Sequence, residues 1–109
     1  MPNSPSVFVY DQTATNDLLV VFGEVDIANA DEFRRALERC ARSNMPLIID
    51  LRACTYIDSS GLHVIIDFKK KTRPELRMLA NPTGGVARII EIFGLSRYVE
   101  VLYATENAV

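Results

Sequence analysis

Leu47-Ile48-Ile49-Asp50-Leu51 is a short, almost continuous apolar run. A strand with one wet face alternates apolar and polar side chains, so this run implies a strand covered on both faces, in the interior of a parallel sheet. Parallel neighbours cannot be joined by tight turns and need crossovers, usually helical ones. The flanking segments supply them. Asn29 reads as a helix N-cap with Glu32 three residues on as its capping-box partner, and Ala28 and Phe33 stand at the staple positions. Phe33, Leu37, Cys40 and Ala41 then recur at helical spacing, while Arg34, Arg35, Glu38, Arg39 and Arg42 fall on the opposite side. This predicts an amphipathic helix over 30–43, ended by Asn44 and Pro46.

The remaining elements follow the same logic. Residues 7–10 and 18–22 are short apolar runs with a polar turn between them, and a hairpin is the economical pairing. Residues 52–57 read as a loop, 60–72 as a helix closed by Pro74, and 75–80 as a strand. Residues 86–93 form a short helix with Val86, Ile89, Ile90 and Phe93 as its buried stripe and Gly94 as its C-terminal stop. A last strand is expected over 98–102. The order β-β-α-β-α-β-α-β predicts a single α/β domain. Its sheet should be mixed but mostly parallel, with an N-terminal β-hairpin and about three helices packed mainly on one face. Residues 1–6 are expected to be a disordered tip, 7–103 the domain, and 104–109 a short tail.

A chain of 109 residues is one domain, and folding hides roughly 65% of the unfolded chain's surface at this size. Apolar residues make up 49% and charged ones 24%, which places the chain among ordinary globular proteins. The net charge is -2, and Lys69-Lys70-Lys71 is the one cationic run, so nucleic acid is not an expected partner. Those lysines suit a solvated helix end. No apolar run approaches the ~20 residues needed to span a bilayer. The N-terminus lacks the charged start and apolar stretch of a signal peptide, so cytoplasmic residence is the expectation. Cys40 and Cys54 have no C-x-x-C spacing and no companion ligands, which argues against zinc. Cys40 falls on a buried stripe, whereas Cys54, in the expected loop, would be partly exposed. Gly84-Gly85 lacks both the G-x-G-x-x-G pattern and a Walker lysine, and reads as a flexible entry to the last helix.

The chemistry concentrates in Asp58-Ser59-Ser60-Gly61, between the apolar strand and the next helix. Two hydroxyls stand at a helix start, where unpaired N–H groups and a partial positive charge favour an added anion. A phosphate on a serine there adds about -1.5 to -2 charges and three acceptor oxygens. Gly61 leaves room for a kinase to approach. Asp, Ser and Ser before an apolar helix are also ordinary capping residues, and Asp26 serves equally well as a turn former after Gly23. His63 is the single histidine, without a second base or metal ligand at useful spacing, which fits a solvent-facing or interface position. A serine hydrolase using Ser59 or Ser60 would need a G-x-S-x-G elbow, which is missing, and a base aimed at the hydroxyl, which His63 four residues away on the same helix does not ensure.

Several blocks together resemble the STAS domain, and most closely the stand-alone bacterial anti-sigma factor antagonists. They are Gly23-Glu24-Val25-Asp26, Leu47 to Leu51, Tyr56-Ile57-Asp58-Ser59-Ser60-Gly61-Leu62, Asn81-Pro82 and Ile92-Phe93-Gly94-Leu95, so the likeness extends over 7–103. The resemblance implies a non-enzymatic partner-switching protein in a stress-response or developmental circuit, with no cofactor. Such a protein binds an anti-sigma factor with serine kinase activity and so frees a sigma factor. It lets go when the kinase phosphorylates the serine after the motif aspartate, and a serine phosphatase resets it. Carried onto this chain, the phosphoacceptor is Ser59, and Asp26, Asp58, Ser60, Gly61 and His63 fall at the partner-binding surface. His63 departs from the glycine common there, and the short C-terminus departs from relatives with a further helix. A non-switching STAS scaffold, or a transporter-associated subunit, is the alternative the resemblance leaves.

Overall fold

The computed structural model describes residues 7–41, 44–71 and 75–105. Two antiparallel strands come first, β1 (Val7–Gln12) and β2 (Asp17–Val25), in register from Val7 opposite Phe22 to Gln12 opposite Asp17. The expected hairpin is therefore present. Its turn is held by Thr13, whose N–H donates to the Asn16 carbonyl at 2.8 Å and whose hydroxyl accepts from the Asn16 N–H at 2.9 Å. There follow α1 (Ala30–Cys40), β3 (Leu47–Asp50), β4 (Cys54–Ile57), α2 (Ser59–Lys71), β5 (Leu76–Ala80), α3 (Gly85–Phe93), a single 3-10 turn (Leu95–Arg97) and β6 (Glu100–Tyr103).

The main sheet runs β1-β2-β3-β5-β6, with every pair after the hairpin parallel. The register places Leu19, Ile49 and Met78 on one rung, beside Leu47 and Leu76 on another, and all five are buried. Phe33, Leu37, Leu62 and Ile65, from α1 and α2, belong to the same core. Phe8 of β1 stacks on Phe33 with ring centroids 5.4 Å apart, which clamps the hairpin under α1. Among the described residues the opposite side of the sheet has no such cover: Leu18, Val20, Ile48 and Leu79 are half-buried and Val7, Val9, Phe22 and Leu102 exposed. So β3 is central and parallel as expected, but only one of its faces is fully buried.

Two local expectations change. Residues 54–57, read as loop, form β4, which pairs in parallel with the distal end of β2. Asn29 precedes α1 without making a side-chain cap. Its Oδ1 instead accepts from the Asp26 N–H at 2.9 Å and its Nδ2 donates to the Glu24 carbonyl at 2.8 Å, tying the β2–α1 loop to itself. Ala28, one half of the expected staple, is exposed. Gly94 ends α3 in the left-handed conformation at φ 75°, as its sequence position suggests. The expected disordered tip at 1–6, the last turn of α1 at 42–43, the helix end at 72–74 and the tail at 106–109 lie outside the described residues. No helix among the described residues is long and apolar enough to cross a membrane.

Candidate functional site

The site is built by a change of partner along β2. Residues Asp17 to Val20 pair with β3, but the register shifts at Gly23, whose φ of 84° suits glycine, and Glu24 and Val25 pair with Tyr56 and Ile57 of β4. The Asp58 N–H extends this ladder by donating to the Val25 carbonyl at 3.1 Å. Asp58 then caps α2. Its carbonyl accepts the first helical bond, from the Leu62 N–H, at 3.2 Å. Its Oδ1 accepts from the N–H groups of Ser60 at 2.9 Å and Gly61 at 3.3 Å. Ser59 is the first helical residue, and its side chain is exposed while Ser60 is half-buried.

Gly61 is buried, and its missing side chain points inward rather than towards an approaching protein. A Cβ there would stand 2.7 Å from Ile57 Cγ1 and 2.8 Å from Val25 Cγ1. The glycine lets the first turn of α2 close on β2 and β4. Asp26 lies one residue past the Val25–Ile57 pair, so its loop flanks Asp58. Its Oδ1 accepts from the Ala28 N–H at 2.9 Å, an Asx turn that orders this loop. His63 is exposed one turn along α2 from Ser59, and its ring meets Phe93 of α3 edge-on at 5.3 Å. Asp26, Asp58, Ser59, Ser60, Gly61 and His63 therefore fall at one end of the molecule, with Ser59 and His63 at its surface and Gly61 beneath.

The sequence reading did not foresee the exposure of three apolar side chains: Ile27 is 81% exposed, Tyr56 47% and Ile92 75%. Ile27 follows Asp26 in the flanking loop, Tyr56 lies on β4 two residues before Asp58, and Ile92 precedes the Phe93 that supports His63. The signal for Ile92 was its position off the Val86, Ile89, Ile90, Phe93 stripe. Cys54, expected to be partly exposed, is buried in β4 and its Sγ donates to the Tyr56 carbonyl at 3.2 Å. Burial pushes its thiol up to about 11, which leaves little thiolate at neutral pH. No hydrogen bond joins His63 to either serine among the described residues, so the arrangement lacks the nucleophile–base contact of acyl-transfer sites. No group of three or more metal-ligating side chains occurs among the described residues.

The exposed serine on a capped helix, fed by a short strand at the end of a mixed sheet, invites comparison with known proteins. The family described as the STAS domain matches residues 10–109. The chain belongs to the STAS domain family. Among its relatives is the anti-sigma-B factor antagonist of Bacillus subtilis (strain 168), 33% identical over 98 residues, covering 86% of this chain and 89% of the relative. The fold is shared with an anti-sigma factor antagonist from Mycobacterium paratuberculosis, at a TM-score of 0.83 and 23% identity over 97% of this chain and 93% of that one. It is shared also with the Bacillus cell fate determinant SpoIIAA, solved in an unphosphorylated form (TM-score 0.69, 20% identity, 92% and 90% covered) and a phosphorylated one (0.61, 19%, 92% and 93%). The mixed α/β architecture with three helices and a six-stranded sheet is thus that of the STAS anti-sigma factor antagonists.

Proposed function

We propose that this STAS domain works by partner switching. With Ser59 unmodified it binds an anti-sigma factor that has serine kinase activity, and a sigma factor is set free. The kinase transfers the ATP γ-phosphoryl group to the Ser59 oxygen, releasing ADP and the hydroxyl proton, and the phosphorylated domain lets go. A serine phosphatase restores the hydroxyl. These partners operate in the cytoplasm, and the chain would act there with them.

The observation that carries this reading is the exposed Ser59 hydroxyl on a helix start that other groups hold in place. Exposed Ile27, next to Asp26, and Tyr56, two residues before Asp58, add apolar surface of the sort that anchors a partner. An interface closed over a neutral hydroxyl loses water there. A phosphate in its place, next to the Asp58 carboxylate and near the Asp26 loop, meets like charge and a desolvation cost together. Losing ~3 kcal/mol weakens binding about a hundredfold, enough for a switch. The homology to an anti-sigma-B factor antagonist and the two states in which SpoIIAA was solved support the same reading.

The test is incubation with the kinase-type anti-sigma factor of the same cell and ATP, with the modified residue located by mass spectrometry and binding measured before and after. One phosphate on Ser59, none on Ser59→Ala, and affinity lowered at least tenfold are expected. A Ser59→Ala variant phosphorylated normally, or a phosphorylated chain that binds as tightly as the unmodified one, overturns the proposal.

A further inference from the structure

We propose that His63 is the counter-ion of the phosphate on Ser59, and that this side chain rather than the helix N-terminus holds the phosphoester. The inference rests on Ser59 being the phosphoacceptor. A bare helix start would offer the N–H groups of its second and third residues to an anion. Here those groups, on Ser60 and Gly61, already donate to Asp58 Oδ1 at 2.9 and 3.3 Å. A phosphate on Ser59 would have to expel a carboxylate to reach them, and it stands beside that carboxylate if it does not. The Ser59 N–H is the one donor of this turn left to it, and the remaining phosphate oxygens need a donor elsewhere.

The side chain at hand is His63. On α2, Leu62, Val64, Ile65 and Ile66 are buried, while Ser59, His63 and Asp67 are exposed at intervals of four. Residues so spaced share a helix face, with Cβ atoms roughly 5–6 Å apart. A helical side chain leans towards the N-terminus, so His63 leans over the turn that carries Ser59. The edge-on contact with Phe93 limits the ring's freedom, which lowers the entropy lost on pairing. On α1 and α2 the other cations are distant or engaged. Lys69 to Lys71 begin ten residues beyond Ser59, about 15 Å along the axis. Arg34 of α1 lies against Val64, Asp67, Phe68 and Lys71 and is paired with Asp31.

The charged groups on the elements around the imidazole are Asp58 just before α2, Asp67 and Lys69 to Lys71 on it, Arg88 and Glu91 on α3, and Arg97 in the 3-10 turn after it. Asp67 lies one turn beyond His63 on the same helix face. A dianion at position 59 places a stronger negative charge one turn before it. Phosphorylation should therefore make His63 hold its proton more firmly, and His63 should in turn favour the dianionic phosphate.

The experiment installs phosphoserine at position 59 during translation, so that no kinase is needed. His63 is the single histidine of the chain, and its ring C–H signals are unambiguous in a proton–carbon NMR titration. The expected result is an imidazole midpoint at least about half a pH unit higher in the phosphorylated chain than in the unmodified one. The phosphorus-31 midpoint of the phosphoserine should rise by a comparable amount in His63→Gln. Midpoints that agree within ~0.1 unit in either comparison overturn the proposal. A kinase that ignores Ser59 while these couplings are present would sink the function proposed above and leave the His63–phosphate pairing standing; a kinase that modifies Ser59 while the couplings are absent would do the reverse.

Discussion

Gly61→Ala tests how tightly the start of α2 is seated. The added Cβ would stand 2.7 Å from Ile57 Cγ1, 2.8 Å from Val25 Cγ1 and 2.9 Å from Ile57 Cδ1. Carbon atoms settle at about 3.5–4.0 Å, so the helix start must lift by roughly 1 Å or both side chains must turn. Neither turns freely, because valine and isoleucine are stiff at χ1 and these two face each other across the β2–β4 ladder. Overfilling a packed site costs about 1–3 kcal/mol. Alanine recovers at most ~1 kcal/mol of helix propensity over glycine. The net expectation is a loss of about 1–2 kcal/mol, or a melting temperature lower by roughly 4–16 °C in a domain of this size. Urea unfolding followed by circular dichroism measures it as a lower midpoint at unchanged slope. The same substitution in a Val25→Ala background should cost less, because one of the blocking methyls is gone. A Gly61→Ala chain as stable as the parent, or an equal cost in both backgrounds, would refute the packing argument.

Three further perturbations have signs fixed by the structure. Asp58→Ala removes the acceptor of the Ser60 and Gly61 N–H groups and should cost about 0.5–2 kcal/mol in urea unfolding, while Asp58→Asn should cost much less; equal losses would mean that capping is not what Asp58 contributes. Tyr10→Phe takes away the 2.9 Å hydrogen bond to Asp17 Oδ1, and since Asp17 is fully buried with Oδ2 already unpartnered, a loss of about 1–3 kcal/mol is expected, against none if the carboxylate finds water. Burial, and for Cys40 also the neighbouring Asp17, raises both thiols from 9.0 to about 11. The unfolded chain then gives up these protons first, so the stabilisation is complete below about pH 9 and lost as the pH climbs towards 11. Urea midpoints across that range should fall for the parent and fall less for a Cys40→Ala, Cys54→Ala double variant; parallel curves would contradict the thiol assignment.

The parts of the fold that were legible from sequence are those whose signal is local. The period of Phe33, Leu37 and Cys40 located α1, Gly94 stopped α3, and the turn between two apolar runs gave the hairpin. The unread parts depend on distant residues. β4 has four residues of which Thr55 and Tyr56 are exposed, so it shows no run and no alternation. It is a strand only because β2 bends at Gly23 and offers it an edge. Asn29 carries the signature of a cap, but its side chain reaches back to Asp26 and Glu24, and nothing in the linear pattern distinguishes the two uses of an asparagine. Gly61 looked like open space for a partner, and only the approach of Val25 and Ile57 shows that the space faces inward. The cap at Asp58 was legible as a type of residue. That it occupies the donors a phosphate would use was not, because this follows from which N–H groups its Oδ1 meets.

That occupancy bears on what a charge placed on Ser59, as the proposed function requires, would do that one on its neighbour would not. The start of α2 is held by the Asp58 N–H to Val25 carbonyl bond, by the seating of Gly61 and by the Asp58 cap, and the Ser59 hydroxyl takes part in none of them. Charge added there leaves every one of these contacts in place, and its free energy falls on whatever surface covers the exposed end. Ser60 is half-buried and its N–H is the closer of the two donors to Asp58. A phosphate on that residue would crowd the cap and be drawn against the helix it terminates, so its energy would be spent on the fold. The proposed switch, which must act on a partner and spare the domain, is therefore better served by the first serine of the pair. The neutral state needs nothing more than the hydroxyl, because the scaffold beneath is complete without it.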